Sequence, residues 1–178
     1  REDIDVRCLG RGRPFVLEVK HPKVRRTDLE EVMKAVNSNG VDKIEVSDLR
    51  WTNRSEVSRV KETRAEKSYT IRFSVEEQPE ESFIIESISK LSGVTLEQQT
   101  PKRVSHRRAD LIRKRKVVSI DNVVVEDDEV EFSVRCEAGT YVKELVHSDE
   151  GRTVPSVAGV LGSPCEVIWL DVEDIHAD

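Results

Sequence analysis

Two carboxylates near the start of the chain are the first candidates for chemistry. Asp3 and Asp5 lie two residues apart, and Arg1 and Arg7 flank them. Neighbouring cations favour the ionised carboxylate, the form that acts as a nucleophile or a general base. The alternative is a pair of surface salt bridges without a catalytic role. The chain contains no P-loop, no G-x-S-x-G and no H-E-x-x-H motif, so carboxylate chemistry is the main catalytic possibility.

A lysine in the sequence AGTYVKELVH, residues 138–147, is the second candidate. Gly139 indicates a turn, and Thr140 is a favourable N-cap for a helix that follows it. This arrangement would place Lys143 in the first helical turn. The residues alone leave two interpretations open, a solvated lysine or a buried partner for a catalytic acid.

Cysteine and histidine usage gives no metal site. The three cysteines are far apart in sequence, no C-x-x-C pair exists, and the four histidines lack metal-ligand spacing. We therefore predict reduced thiols without a catalytic role and no bound metal.

The charge of the chain is unevenly distributed. The net charge is −6, which taken alone argues against a nucleic-acid partner. Residues 102–116, however, contain eight basic residues and one acid, a charge of +7, and the remainder carries −13. Residues 1–26 and 50–72 each carry a further +4. A polyanion responds to the local potential, so these stretches predict an RNA or DNA partner, with a solvated loop as the alternative.

The elements that would position these residues form an α+β pattern. The length of 178 residues fits one domain, and no run of about 18 apolar residues or export signal is present. Alternation and helical spacing predict more strands than helices without regular β-α-β order, which favours a mainly antiparallel sheet. Gly10 and Gly12 predict a tight loop with positive φ, and Thr27 with Glu30 predicts a capping box. The predicted strands are 15–19, 41–46, 69–75, 117–120, 123–125, 130–136 and 167–172, with a hairpin turn at Asp127-Asp128, and the predicted helices are 28–39, 55–62 and 83–91.

Three motifs in order carry a family resemblance over the whole chain. They are R-E-D-x-D-V-R-x-L-G-x-G-R-P-F at residues 1–15, G-T-Y-V-K-E-L-V-H-x-D-x-G-R-T-x-P at 139–155 and V-I-W-L-D-V at 167–172. The chain resembles the catalytic domain of the archaeal and eukaryotic tRNA pseudouridine synthases usually numbered ten. That family isomerises uridines 54 and 55 in the TΨC arm of tRNA. The resemblance implies the pseudouridine synthase fold, with flanking helices and loops around a central cleft.

The resemblance also implies roles for single residues. Asp3 matches the essential catalytic aspartate, and Lys143 matches the basic residue that pairs with it. Tyr69 matches the tyrosine that stacks on the target base and takes the C5 proton; alternation with Ile71 is equally typical of a core tyrosine. Leu170 matches an aliphatic residue that packs on the flipped base. The family reaction uses no metal or organic cofactor.

The substrate implied by the resemblance is tRNA. The segment 99–108 resembles a mobile loop that grips the RNA. Binding to the RNA is therefore predicted for two sets of cations, Arg103, Arg107, Arg108 and Lys114 in the basic block, and Arg1, Arg7, Arg11 and Arg13 near Asp3.

The resemblance sets the expected organisation as well. Residues 1–178 are expected to be one catalytic domain, a fragment that lacks the family's upstream zinc-containing RNA-binding domain. We expect a monomeric cytoplasmic enzyme without a membrane partner. Two alternatives remain, a non-catalytic RNA-binding or tRNA-chaperone module of the same fold, and an acidic scaffold with a basic targeting patch.

Overall fold

The computed structural model describes residues 5–177. They form two compact units. The larger unit joins the N-terminal segment up to Arg13 with the chain from Arg64 onward, and the smaller unit is Pro14–Thr63.

A six-stranded sheet forms the larger unit. Every strand pair in it is antiparallel, so the mainly antiparallel sheet predicted from the sequence is confirmed. The hairpin at Asp127-Asp128 is also confirmed, since it joins the third strand to the fourth. The strands are β1 (Glu66–Val75), β2 (Thr95–Gln99), β3 (Ile112–Glu126), β4 (Glu129–Cys136), β5 (Thr153–Val154) and β6 (Cys165–His176), in the order β5-β2-β3-β4-β1-β6.

One face of this sheet carries the hydrophobic core. Alternate residues of β1 and β4 are buried there, as period-two strands require. Phe73 and Phe132 meet edge to face with ring centroids 5.9 Å apart. Apolar residues of three helices complete the core cluster, in which Val, Ile and Leu predominate. Each fully buried side chain of this kind contributes about 1.5–3 kcal/mol. The helices are α3 (Glu81–Ser89), α4 (Val142–His147) and α5 (Val157–Leu161).

The N-terminal segment is bonded to the sheet edge formed by β6. Arg7 and Asp171 form a parallel bridge, with Arg7 N donating to the carbonyl of Leu170 and Val172 N donating to the carbonyl of Arg7, both at 2.9 Å. The amide of Leu9 donates to the buried carboxylate of Asp171 at 2.9 Å. The first predicted motif is therefore held against the last predicted strand.

Gly10 makes this attachment sterically feasible, although not in the predicted way. Of the two loop glycines only Gly12 has a positive φ, at 75°. A Cβ on Gly10 would lie 2.2 Å from the carbonyl oxygen of Glu173 and 2.6 Å from its Cα. The absence of a side chain at Gly10 thus serves close approach of two backbones.

Gly10→Ala is expected to loosen the N-terminal segment from β6. The overlap is with backbone atoms, so the segment must move and we expect a loss of about 1–3 kcal/mol in unfolding free energy, the range for overpacking. Urea unfolding and amide exchange of Arg7 and Val172 would measure it. Gly12→Ala is the comparison variant, because its Cβ meets nothing within 4 Å and its cost comes only from the positive φ of 75°. Faster amide exchange at Arg7 and Val172 is therefore expected for Gly10→Ala alone, and equally fast exchange in both variants would contradict the steric role of Gly10.

The smaller unit contains two helices, α1 (Leu29–Asn39) and α2 (Arg54–Glu62). Both were predicted, but the N-cap of α1 is Asp28 rather than Thr27, because the Asp28 carboxylate accepts from the amides of Glu30 and Glu31. The predicted strands 15–19 and 41–46 are wrong: the smaller unit provides no neighbouring strand for them. Val46 is held instead by a two-way hydrogen bond with the side-chain amide of Asn37.

No helix within residues 5–177 is long and apolar enough to cross a membrane. The same residues contain no group of three or more His, Cys, Asp or Glu side chains that could hold a metal ion.

Candidate active site

The structure brings Lys143 to the N-terminal motif. Its ammonium donates to Oδ2 of Asp5, a residue 138 positions away in sequence. The Lys143 side chain is 18% exposed and that of Asp5 is 63% exposed, so the pair lies at the surface with its cation largely covered. The hydrogen bond from Lys143 holds the pKa of Asp5 below its usual value. Asp3 and Arg1 lie outside the described residues, so the predicted partnership of Asp3 with Lys143 stays a prediction.

Hydrogen bonds from a side chain of β2 hold the start of the helix that carries Lys143. Gln98 is fully buried, and its side chain donates to the carbonyl of Tyr141 and accepts from the Tyr141 amide, each at 2.9 Å. Tyr141 is the N-cap of α4, and Lys143 is the second residue of that helix, as predicted. The predicted N-cap Thr140 is wrong, because its hydroxyl bonds back to the carbonyl of Glu137 at 2.8 Å.

A second ion pair lies beside the first. Glu144 is buried at 1% exposure, and its carboxylate receives the Arg103 guanidinium through Nε at 2.6 Å and Nη2 at 3.1 Å. The positive charge of Arg103 also contributes to lowering the pKa of Asp5. The adjacent residues Lys143 and Glu144 therefore form ion pairs with an acid and a base, respectively. The pair with Glu144 also joins the 3₁₀ helix Lys102–Arg107 to α4.

Tyr69 and Leu170 lie on adjacent strands of the sheet. Tyr69 is 4% exposed and faces Val172 across the β1–β6 pair, while Leu170 is 5% exposed and faces Ile71. The Leu170 carbonyl accepts the hydrogen bond from Arg7 described above, which joins Leu170 to the segment that carries Asp5. Both residues belong to the hydrophobic core cluster, so their roles toward a substrate base stay predictions.

The arginines predicted near Asp3 have different surroundings. The Arg7 guanidinium lies over the ring of Trp169 at 5.4 Å from its centroid, and Arg72 lies over the same ring at 5.8 Å. Arg11 pairs with Asp174 at 3.2 Å. Arg13 is exposed in the segment that follows Gly12. All three arginines are exposed, and Arg7 differs in having its guanidinium over an aromatic ring.

The basic block 102–116 is not a single loop. Its first part forms the 3₁₀ helix Lys102–Arg107, and its last part is the start of β3, which pairs with β2. Among the described residues, no cation of the block pairs with an acid inside the block. Three of them pair with acids elsewhere in the chain: Lys102 with Glu150, Arg103 with Glu144, and Lys114 with Glu97 at 3.5 Å.

The other cations of the block remain available to a ligand. Arg108 donates to the Tyr141 hydroxyl at 3.3 Å. Within residues 5–177 no ion pair is formed by five members of the block, Arg107, Arg108, Arg113, Arg115 and Lys116.

Sequence reasoning missed Gln98 and Glu144, whereas Arg115 was counted among the cations of the basic block. Gln98 is two residues after Leu96, so both lie on the buried face of β2. A polar residue on that face was the signal that could have identified it. Glu144 offered only its place beside Lys143. The Nε of Arg115 is buried without a hydrogen-bond partner among the described atoms, next to Gly139.

The cysteine thiols of the core are unsuited to nucleophilic chemistry. Burial raises the pKa of Cys136 and of Cys165 to about 12 in each case. Neither thiol is ionised near neutral pH, and a thiolate is the reactive form. No disulfide joins the three cysteines within the described residues, and Cys8 is half-buried.

Comparison with solved structures defines the class of fold. A chain in the crystal structure of a Cbf5-Nop10-Gar1 complex matches this structure with a TM-score of 0.52 and 26% sequence identity. The match covers 65% of this chain and 32% of that chain. The α+β pseudouridine synthase fold expected from the sequence is thereby confirmed.

Comparison of sequences identifies the family within that class. The family model described as "Pus10, C-terminal" matches residues 1–176, and the chain belongs to this family. The tRNA pseudouridine synthase Pus10 of Methanothrix thermoacetophila is 46% identical over 177 residues, covering 98% of this chain and 38% of the relative. That of Methanococcus voltae is 40% identical over 182 residues, covering 99% and 35%. The chain therefore spans less than half the length of these relatives.

Proposed function

We propose that this chain isomerises uridine to pseudouridine in tRNA, at positions 54 and 55 of the TΨC arm, as a monomer, with residues 1–178 acting as the catalytic domain. The observation that carries the proposal is the ion pair between Lys143 and Asp5. It joins the two most specific motifs of the sequence at one place, although they lie at opposite ends of the chain. Asp3 belongs to the first motif and precedes Asp5 by two residues.

The proposed reaction begins with the ionised carboxylate of Asp3. It attacks C1′ of the ribose or assists cleavage of the glycosidic bond, so the bond between N1 and C1′ breaks. The detached uracil anion turns and its C5 bonds to C1′, which breaks any bond that Asp3 formed there and regenerates the carboxylate. C5 then loses its proton and N1 gains one. The product is an isomer of the substrate, so no electrons are exchanged with a second reactant. Lys143 and Arg103 keep carboxylates in this region charged, because nearby cations stabilise the anionic form.

The proposed pocket for the flipped base is formed by Tyr69 and Leu170. A uracil inside a folded tRNA must leave its stack, which costs a few kcal/mol and needs an apolar surface to receive the base. Tyr69 supplies an aromatic ring from β1 and Leu170 an aliphatic side chain from β6, and both residues are buried. In this proposal the Tyr69 hydroxyl oxygen takes the C5 proton and releases its own proton to water.

Isomerisation can be tested directly by tritium release. Uridine tritiated at C5 in a tRNA transcript should release its label when the full-length protein acts on it. The label is lost because C5 gives up its hydrogen after it bonds to C1′. Mapping of the product should place pseudouridine at positions 54 and 55. Tight tRNA binding without tritium release by the wild-type protein would overturn the enzymatic proposal and favour a non-catalytic RNA-binding module.

The unpaired arginines of the basic block are proposed to bind the tRNA backbone. Arg107→Glu combined with Arg108→Glu is expected to weaken tRNA binding by about tenfold or more and to lower the slope of log affinity against log salt by about 1.4–1.8, as for two lost phosphate contacts. Filter binding over a salt series would measure both quantities.

The control for this charge reversal changes the same number of charges elsewhere. Lys34→Glu combined with Lys43→Glu alters two exposed lysines of the smaller unit. An equal loss of affinity in the control would mean that overall charge, and not the surface around Arg107, governs binding.

A further inference from the structure

We propose that the smaller unit carries a second RNA contact, a cleft in which Trp51 stacks on an unpaired base while Arg25 and Arg26 bind its phosphates. This proposal rests on the proposed function in one respect, that the ligand is the substrate tRNA. The cleft is an open surface depression of about 490 Å³, lined by Arg25, Arg26, Thr27 and Trp51. All four residues belong to the smaller unit, whereas Lys143 belongs to the larger one.

Trp51 has the exposure of a binding residue and not of a core residue. Its side chain is 63% exposed, although the chain has only two tryptophans and few aromatic residues of any kind. The other tryptophan, Trp169, has its ring covered by two arginines. An open indole face is a stacking platform that accepts any base, and each stacked base contributes strongly to single-strand binding.

The arginines of the cleft are available for an anion. Neither Arg25 nor Arg26 forms an ion pair with any residue in the described range 5–177. The neighbouring acid Asp28 has its carboxylate bonded to the amides of Glu30 and Glu31. Residues 20–26 contain four cations and no acid. Residues 20–26 therefore carry a local charge of +4, and Arg25 and Arg26 have no ion-pair partner among the described residues.

The combination favours single-stranded RNA over other ligands. A duplex hides its base faces, whereas bases in loops and at ends can splay out and stack on aromatic rings or guanidinium planes. Two guanidinium groups beside one aromatic ring match a base with the phosphates on either side of it. Two other arginines of this unit, Arg50 and Arg59, both form an ion pair with Glu56 at 2.6 Å.

Binding of a short single-stranded RNA oligonucleotide and of a tRNA transcript to the full chain tests the proposal. Trp51→Ala should weaken both by about tenfold, the effect of losing one stacked base, and Trp51→Phe should retain much of the affinity. Arg25→Ala combined with Arg26→Ala should lower the salt slope for the oligonucleotide by about 1.4, as expected for two phosphate contacts to a single strand.

Matched controls separate this contact from general effects. Phe15→Ala removes another exposed aromatic ring of the same unit, and Lys34→Ala with Lys43→Ala removes two exposed charges. Since Trp51 is exposed, its removal should leave the circular dichroism melting curve unchanged. Unaltered RNA affinity in Trp51→Ala, or equal losses in the controls, would overturn the proposal. Absence of tritium release by the wild type would instead count only against the enzymatic function.

Discussion

Asp3→Asn is expected to lower the rate of uridine isomerisation by about a thousandfold or more, the scale seen when an essential nucleophile is removed. Asp5→Asn should lower it by about fivefold at most, since an exposed ion pair contributes up to about 1 kcal/mol and a tenfold change requires about 1.4 kcal/mol. The two substitutions change the same functional group two positions apart. They therefore separate a reacting carboxylate from one that holds Lys143 in place.

Single-turnover tritium release with saturating enzyme measures this difference. Binding of tRNA should be nearly unchanged in both variants, because neither loses a cation, and thermal unfolding should show that both remain folded. A reversal of the ranking, with Asp5→Asn inactive and Asp3→Asn active, would assign the reacting role to Asp5. That outcome would be consistent with the ion pair in the structure and would contradict the role carried over from the family.

Lys143→Met should lower the isomerisation rate by about a hundredfold, the usual range for losing one charged group positioned at a reaction centre. Methionine keeps much of the volume of the buried stem but removes the ammonium, which is the cation bonded to Asp5. Lys143→Arg should retain more activity, since it keeps the charge. The effect should appear mainly in kcat, because a residue that acts on the carboxylate region contributes little to binding of the tRNA backbone.

The pKa of Asp5 provides a second measurement on the same variant. Lys143 lowers this pKa, so its removal should raise it toward the usual value, which carbon NMR of the carboxyl group would detect. A depressed pKa means that the ion pair contributes stability above the ordinary pKa of aspartate and loses it as pH falls through the lowered value. Because Asp5 is largely exposed, this contribution should be small. An unchanged Asp5 pKa in Lys143→Met would contradict the ion pair.

Some features of the fold could be predicted because they depend on local periodicity. The alternation of Tyr69, Ile71 and Phe73 predicts β1 directly, and Asp127-Asp128 predicts the hairpin between β3 and β4. The strands predicted at 15–19 and 41–46 have similar local composition but find no partner strand in the smaller unit. A strand is stable only when its backbone groups are paired, and pairing is not a local property.

The candidate site shows the same division at the level of side chains. Lys143 was predicted to lie in the first turn of a helix, and it does. Its partner was left to the family resemblance, and the structure shows an ion pair with Asp5. Gln98, which holds the start of that helix, belongs to β2. Arg103 bonds to Glu144, which is 41 residues away in sequence. Contacts of this kind leave no periodic signal.

Three features follow from residue order alone: the sheet-rich α+β class, the separation of charge into a basic block and an acidic remainder, and the motifs that identify the family. Which charges pair with each other depends on the folded structure. It placed the Lys143 ammonium on Asp5 and neutralised part of the basic block with distant acids. The physical reason is that the hydrophobic pattern acts within a strand or helix, whereas electrostatic pairing depends on distances that exist only after the chain has folded.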